Sequence, residues 1–474
     1  MRSLRWTKGI ARDRARAPRR HSGLGTLALA AIVAATGACA GGPKVDKGAS
    51  PEGGRNRIEP ASLVDPSRIY QQMGFITGGP ALPFVGNVAY LAGPTPDSTL
   101  ALVSMSLPNR ALGFVREGDR FRATYDVRFD VRQGTTLVGH VESTETVRVG
   151  SFKETARGDE SIIFQRTLLL APGDYVITAA LRDEGSANSA SQEAKLTVPR
   201  LGSTGVSTPV VVIQATPRTS LTAPLDLVAS PRSTVTFGRD TVLPVYVEAY
   251  GSREPVRVSV RGDGGATVWS DTISLPARRD GLYSAVVNVP VSSLGVGVTT
   301  LVTSRGGADS THAPVFVSFG DELPVASFEE MLNYLRYFAS PQRLQSLRET
   351  PAAQRPAAWG AFLRETDPVI TTPLHEGLRD YFQRLQAANE RFRGDGAAGW
   401  MSDRGMVYIT LGEPDQIYEQ GGSNDISSRG RALIWEYRQM RLQLVFIDQS
   451  GFNRWRLTAG SENDFQAAAR RIQK

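Results

Sequence analysis

Four acidic side chains near the C-terminus, Asp403, Glu413, Asp415 and Asp448, are the groups in this 474-residue chain whose type and spacing could do chemistry. Gathered round one cleft, paired carboxylates would do general acid–base work or hold a hard cation such as calcium. Their spacing fits no known metal loop. Arg404, with Trp400, Tyr408, Trp435 and Trp455, would alternatively offer a platform for a glycan or peptide. A third reading is structural. Gly399 and Gly405 take positive φ or let backbones approach closely. Asp403 and Arg404 bond to backbone and to each other, and the aromatics form one apolar cluster. Gly412-Glu413-Pro414-Asp415 makes a tight turn at the end of a strand. The sequence leaves all three open.

Other catalytic groups are sparse. Beyond residue 38 the histidines are His140, His312 and His375. A Ser402/His375/acid triad is conceivable, but no Gly-x-Ser-x-Gly elbow is present. No phosphate-binding loop or dinucleotide fingerprint appears, and a single cysteine excludes Cys/His zinc spacings. Asp263, among glycines 262, 264 and 265, reads as a turn. No catalytic residue, metal or cofactor is therefore expected.

That cysteine, Cys39, follows an arginine-rich stretch from Arg2 to Arg20 and an apolar run from Leu24 to Ala38. The junction reads Ala35-Thr36-Gly37-Ala38-Cys39-Ala40, with small residues before the thiol. It resembles a bacterial lipoprotein signal, although Thr36 stands where leucine is usual. The resemblance implies cleavage between Ala38 and Cys39, a diacylglyceryl group on the thiol, and an outer-membrane destination. Each buried methylene would add ~0.8 kcal/mol of membrane affinity. The alternatives are an ordinary cleaved signal, a twin-arginine signal at Arg19-Arg20, or a membrane span. The apolar run is short of the roughly 20 residues a span needs.

The signal also settles the charge argument. The net charge is +7, and residues 1–38 carry eight basic side chains against Asp13. The rest of the chain is neutral, so nucleic acid is not an expected partner. With no second cysteine, no intramolecular disulfide is possible and apolar cores must supply stability.

The chain divides into residues 1–38 as signal, 39–66 as a Gly/Pro-rich tether, 67–199, 200–320 and 321–474. In 67–199 the clearest pattern is Phe121, Ala123, Tyr125, Val127, Phe129 and Val131 alternating with polar residues. It predicts a long strand with one buried face. Further strands at 84–92, 99–107, 136–149, 161–170, 174–182 and 192–198 make a β-sandwich. Pro199 to Thr208 reads as a linker. Runs at 209–214, 241–249, 255–260, 266–274, 282–289, 298–304 and 313–319 predict a second sandwich, immunoglobulin-like.

From residue 321 the pattern becomes mixed α+β. Ser327-Phe-Glu-Glu330 is a capping box, and Pro341 follows that helix. Thr372 and Pro373 open a longer helix carrying Leu374, Leu378, Tyr381, Leu385, Ala388 and Phe392, with Gly394 at its stop. Strands are expected at 405–411, 432–438, 441–448 and 453–458, and a last helix from Ser461-Asp464.

Gly399-Trp400-Met401-Ser402-Asp403-Arg404-Gly405, followed by Val407-Tyr408-Ile409 and Gly412-Glu413-Pro414-Asp415, resembles the GWxTD domain of bacterial envelope proteins. Ser402 replaces the usual threonine. Asp367-Pro368, Tyr381, Arg384, Ala388-Asn389, Phe392 and Trp435-Glu436-Tyr437 extend the resemblance over about 321–460. It implies signal-bearing, β-plus-GWxTD chains of unestablished activity. The expectation is a membrane-anchored, non-enzymatic interaction or scaffolding protein with envelope protein partners. The alternative is a hydrolase or glycan/peptide binder using the acidic residues.

Overall fold

The alternation at 121–131 forms the strand Arg120–Gln133, in which Tyr125, Val127, Phe129 and Val131 are buried. In the computed structural model that describes them, residues 67–157, 162–201, 205–237, 239–306, 309–318, 327–368, 375–395, 398–420 and 431–472 are mostly β, arranged in several sheets. Cys39, the N-terminal apolar run, the tether, Thr372 and Pro373 lie outside the described residues.

Arg120–Gln133 pairs with Thr136–Val149 on one edge and Gly173–Asp183 on the other, and Ser189–Val198 extends the sheet. A four-stranded sheet of Ile76–Thr77, Val85–Ala92, Thr99–Leu107 and Ile162–Leu170 faces it. One core joins them: Val103, Met105 and Phe164 pack with Val127, Phe129 and Ile177. Two sheets closing on one core are consistent with a β-sandwich. Thr136–Val149 pairs only with Arg120–Gln133 among the described residues and so leaves one edge free. Glu145 stands on its inward face, in step with Val141 and Val147, and meets Arg166 of the facing sheet at 3.2 Å.

The second pair of sheets follows the same logic. Asp226–Ala229, Val210–Thr216, Val242–Tyr250 and Leu282–Pro290 form one. Thr234–Thr236, Asp309–Ser318, Gly297–Arg305, Val256–Arg261 and Thr267–Ile273 form the other. Their shared core is Val-rich, around Val245, Val247, Val258, Val289 and Leu301. Thr234–Thr236 runs parallel to Asp309–Ser318. It and Asp226–Ala229 were not expected from sequence, being too short to show alternation.

Helices Phe328–Tyr334, Pro341–Glu349, Arg355–Thr366, Glu376–Arg391, Asp403–Leu411 and Ala459–Ile472 share a third core with the sheet Gln416–Gln420, Arg431–Tyr437, Leu442–Asp448 and Arg456–Leu457. The Ser327 hydroxyl accepts from Glu330 N, as the capping box predicts. Leu378, Tyr381, Leu385 and Ala388 are buried as their spacing predicts.

Several expectations need correction. The stretch 405–411 is not a strand but most of the helix Asp403–Leu411. Pro341 does follow the end of the first helix, and it also opens a second one that was not expected, Pro341–Glu349, at whose first turn a missing N–H costs nothing. The long helix is capped by His375, whose Nδ1 accepts from Leu378 N at 3.1 Å, in place of Thr372. That helix leaves through Phe392 with negative φ, so Gly394 is not its left-handed stop. Within Pro199–Thr208, Leu201, Val206 and Ser207 are buried, which no free linker would show.

Candidate functional site

The Gly399–Gly405 segment sits where the helices Glu376–Arg391 and Asp403–Leu411 meet. Ala388 and Asn389 lie on the buried face of the first helix, and the chain returns as a 3-10 turn, Gly399–Met401. A Cβ on Gly399 would lie 2.5 Å from the Ala388 carbonyl oxygen. A Cβ on Gly405 would lie 2.0 Å from the carbonyl oxygen of Gly399 itself. Neither glycine has positive φ. Of the two uses expected for them, close backbone approach is the one the fold employs.

Ser402 is the N-cap between turn and helix. Its hydroxyl donates to Gly399 O at 2.7 Å and accepts from Gly405 N at 3.0 Å. A threonine hydroxyl would do the same. Gly412, at φ +86°, ends the helix and donates its N–H to Tyr408 O. N-cap, acidic first turn and glycine stop outweigh the local strand preference of the β-branched Val407, Ile409 and Thr410.

Asp403 and Arg404 do not bond to each other. Successive residues on a helix point about 100° apart, so the two side chains diverge. Asp403 accepts from Leu457 N at 2.8 Å and from Arg456 at 3.3 Å, fastening the helix to the strand Arg456–Leu457. Arg404 forms a bidentate pair with Asp395, whose side chain is fully buried. Its guanidinium also lies 5.0 Å from the Phe392 ring and 5.5 Å from Trp455. Arg431 stacks on Trp455 at 5.3 Å and is held by Glu419 and Asn453.

Trp400, Tyr408, Trp435 and Trp455 all belong to the third core, as the structural reading expected. Trp400 meets Tyr334 edge-on at 5.3 Å, and Arg336 covers it at 4.9 Å. With Trp400 and Trp435 only 2% exposed, these rings are packing, not a platform. Their two indole N–H groups are buried without hydrogen-bond partners.

The remaining carboxylates have separate partners. Glu413 is exposed and pairs with Arg391 at 3.0 Å. Asp415 accepts from Arg438 N at 2.7 Å, and its own N–H donates to Glu436 O, so Gly412-Glu413-Pro414-Asp415 joins a helix, not a strand, to the sheet. Asp448 is fully buried and accepts from Ser450 N, Ser450 Oγ, Gly451 N and Asn453 N. Burial raises its pKa, but the hydrogen bonds from Ser450, Asn453 and Gly451 outweigh that and hold it below the usual carboxylate value. Among the described residues no group of three or more His, Cys, Asp or Glu is placed to hold a metal ion. The Ser402 and His375 side chains are each engaged in capping, and His375 Nε2 meets Thr366 Oγ1 at 2.9 Å.

Sequence reasoning missed Asp395 as the Arg404 partner. Its Gly394-Asp395-Gly396 setting reads as an ordinary turn, and only burial distinguishes it.

Residues 305–450 match the GWxTD domain, so the chain carries that domain. No curated protein matches the chain. Among solved structures it is similar to the BSP domain of a biofilm associated protein, at 10% identity, TM-score 0.16, covering 54% of this chain and 55% of that one. Red sea bream transglutaminase gives 13%, 0.15, 49% and 31%, and the fibronectin(III)-like modules of Clostridium thermocellum CbhA give 13%, 0.13, 49% and 94%. The chain thus spans about half of the first and a third of the second, and likenesses this faint assign no activity.

Gly405→Ala forces its methyl into the Gly399 carbonyl and should cost ~1–3 kcal/mol in a denaturant melt; unchanged stability would mean the contact is soft. Asp448 gives a pH test. Its folded-state pKa is lowered, so its contribution is complete above the unfolded value of about 3.9 and is lost as pH falls through the folded one. Asp448→Asn should therefore be less stable than wild type at neutral pH, with the gap narrowing below about pH 4. Parallel stability curves for the two proteins would contradict this assignment.

Proposed function

We propose that this protein is a bacterial envelope lipoprotein, anchored through a lipid on Cys39, that works by binding or scaffolding and not by catalysis. In this reading residues 67–199 and 200–320 are two sandwich modules, the second immunoglobulin-like, and 321–474 is a GWxTD α+β module. The observation that carries the non-catalytic role is the fate of the motif's polar groups. Ser402, Asp403, Arg404, Asp415 and Asp448 are each bonded to protein backbone or to a neighbouring side chain. A catalytic constellation keeps groups aimed at one point in a cleft. These aim at different turns and strand ends.

Support for the anchor comes from the sequence: basic segment, apolar run, small residues, Cys39. No helix among the described residues is long and apolar enough to cross a membrane. Partners are expected to be envelope proteins met by loops and strand edges. The neutral chain beyond residue 38 gives nucleic acid no electrostatic footprint. No observation favours the hydrolase or glycan-binding alternative.

Arg404→Ala leaves Asp395 buried and unpaired, and should cost about 3–5 kcal/mol, read as a lower melting temperature. A variant that melts like wild type but loses a ligand or an activity would overturn the structural role. Cys39→Ser should move the protein from the membrane fraction to the soluble fraction. Retention in the membrane would reject the anchor.

A further inference from the structure

The stretch joining the first two pairs of sheets looks like a linker in composition, yet both sides hold it. On one side, Thr208 N donates to Tyr90 O at 2.9 Å, and Tyr90 N donates to Thr208 Oγ1 at 3.2 Å. On the other, Ser207 N donates to Glu248 O, Glu248 N donates to Ser207 Oγ, and Tyr250 N donates to Gly205 O. Thr311 Oγ1 donates to Ser207 O at 2.6 Å from a further strand. With Gly205, Ser207 and Thr208 bonded in both directions, residues 205–208 offer no free joint for a hinge.

Beside it lies an ion pair with both side chains fully buried. Arg218 donates through Nε and an Nη to both oxygens of Glu248, at 3.0 and 2.7 Å. Tyr246 and Tyr250 donate their hydroxyls to the same carboxylate, at 2.7 and 2.8 Å. Burial, with Glu248 adding to it, pushes both phenols well above their ordinary range, so they remain donors. The cluster reaches across the junction to one residue. Arg218 donates to Ala92 O at 3.0 Å, and Ala92 N donates to Tyr250 Oη at 2.8 Å.

Apolar contact covers the rest. Leu91 and Leu102 pack with Val210, Val212, Leu227 and Tyr246 in one buried cluster. The Gln165 amide donates to Leu227 O at 2.6 Å and accepts from Ala229 N at 3.1 Å, so it occupies the edge of Asp226–Ala229.

We infer that the described residues of 67–318 move as one rigid body with no hinge at 205–208, and that the Arg218–Glu248–Tyr250 cluster, closed on Ala92, sets the register of its two halves. The apolar contact supplies the adhesion, and the polar cluster admits one alignment. Surfaces on the two halves are then presented in fixed relation. A partner with a footprint on both is bound without the cost of ordering a joint. This does not depend on the lipid anchor or on the GWxTD domain.

The test uses the full chain with Cys39→Ser, which removes its only native thiol. Spin labels go on Thr146→Cys and Thr272→Cys, both exposed. Pulsed dipolar spectroscopy should give one narrow distance peak, whereas a broad or split distribution would overturn the rigid body. Glu248→Gln keeps the volume but removes the charge opposite Arg218, and should lose the narrow peak and open Arg200 to trypsin. If that variant does not fold, Tyr250→Phe decides, since it removes only the hydroxyl serving Ala92 and Glu248. A peak as narrow as wild type in the folded variant would remove the cluster from its assigned role.

Discussion

The C-terminal region rests on a contact without a side chain. Gly405 lies against the carbonyl of Gly399, and Gly399 against those of Ala388 and Asn389. The 3-10 turn thereby lies at backbone distance from both helices, nearer than any Cβ would permit. The rest of the motif follows from that approach. Ser402 can bond Gly399 and Gly405 together because they are already adjacent. Arg404, one position before the second glycine, is delivered to Asp395 and laid between Phe392 and Trp455. Asp403, on another bearing, reaches the strand Arg456–Leu457. One close approach thus positions a cap, a buried ion pair and a helix-to-sheet clasp.

The β region solves a different problem with a different cost. Two all-β units in series ordinarily leave a mobile joint. Here the joint carries a desolvated ion pair, which is a weak contributor to net stability because removal from water offsets its Coulomb attraction. Its use lies in exclusivity. A shifted docking would leave one Arg218 N–H and the N–H and carbonyl of Ala92 buried without partners, a cost of the kind a well-matched apolar face cannot impose.

What the sequence made legible was what its local period encodes. The alternation at 121–131 located Arg120–Gln133, and the four-three spacing from Leu378 to Ala388 gave the buried face of Glu376–Arg391. The helix Asp403–Leu411 was hidden because Val407, Ile409 and Thr410 favour strands locally, while the deciding signals, a serine cap and a glycine stop, take up single positions. The motif's chemistry was half legible. Glycine's use for close approach was among the expected options, but the partners of Asp403 and Arg404 were not, since Leu457 is far along the chain and Asp395 resembles any turn aspartate. Arg218 and Glu248 gave no local signal at all. They stand in different strands' neighbourhoods, and only the fold removes both from water.

Glu145 carries a consequence of its own. A carboxylate on the inward face of a free-edged strand, matched by Arg166 across the gap, is tolerable while that edge stays open to solvent. Any further strand zipped onto Thr136–Val149 would help close that gap and tend to strip water from the pair. Backbone groups along that edge are available, yet lateral growth of the sheet is penalised from within. Crowded copies of such a molecule would resist fibrous, edge-to-edge aggregation, and the safeguard would weaken if that acid were lost to a valine.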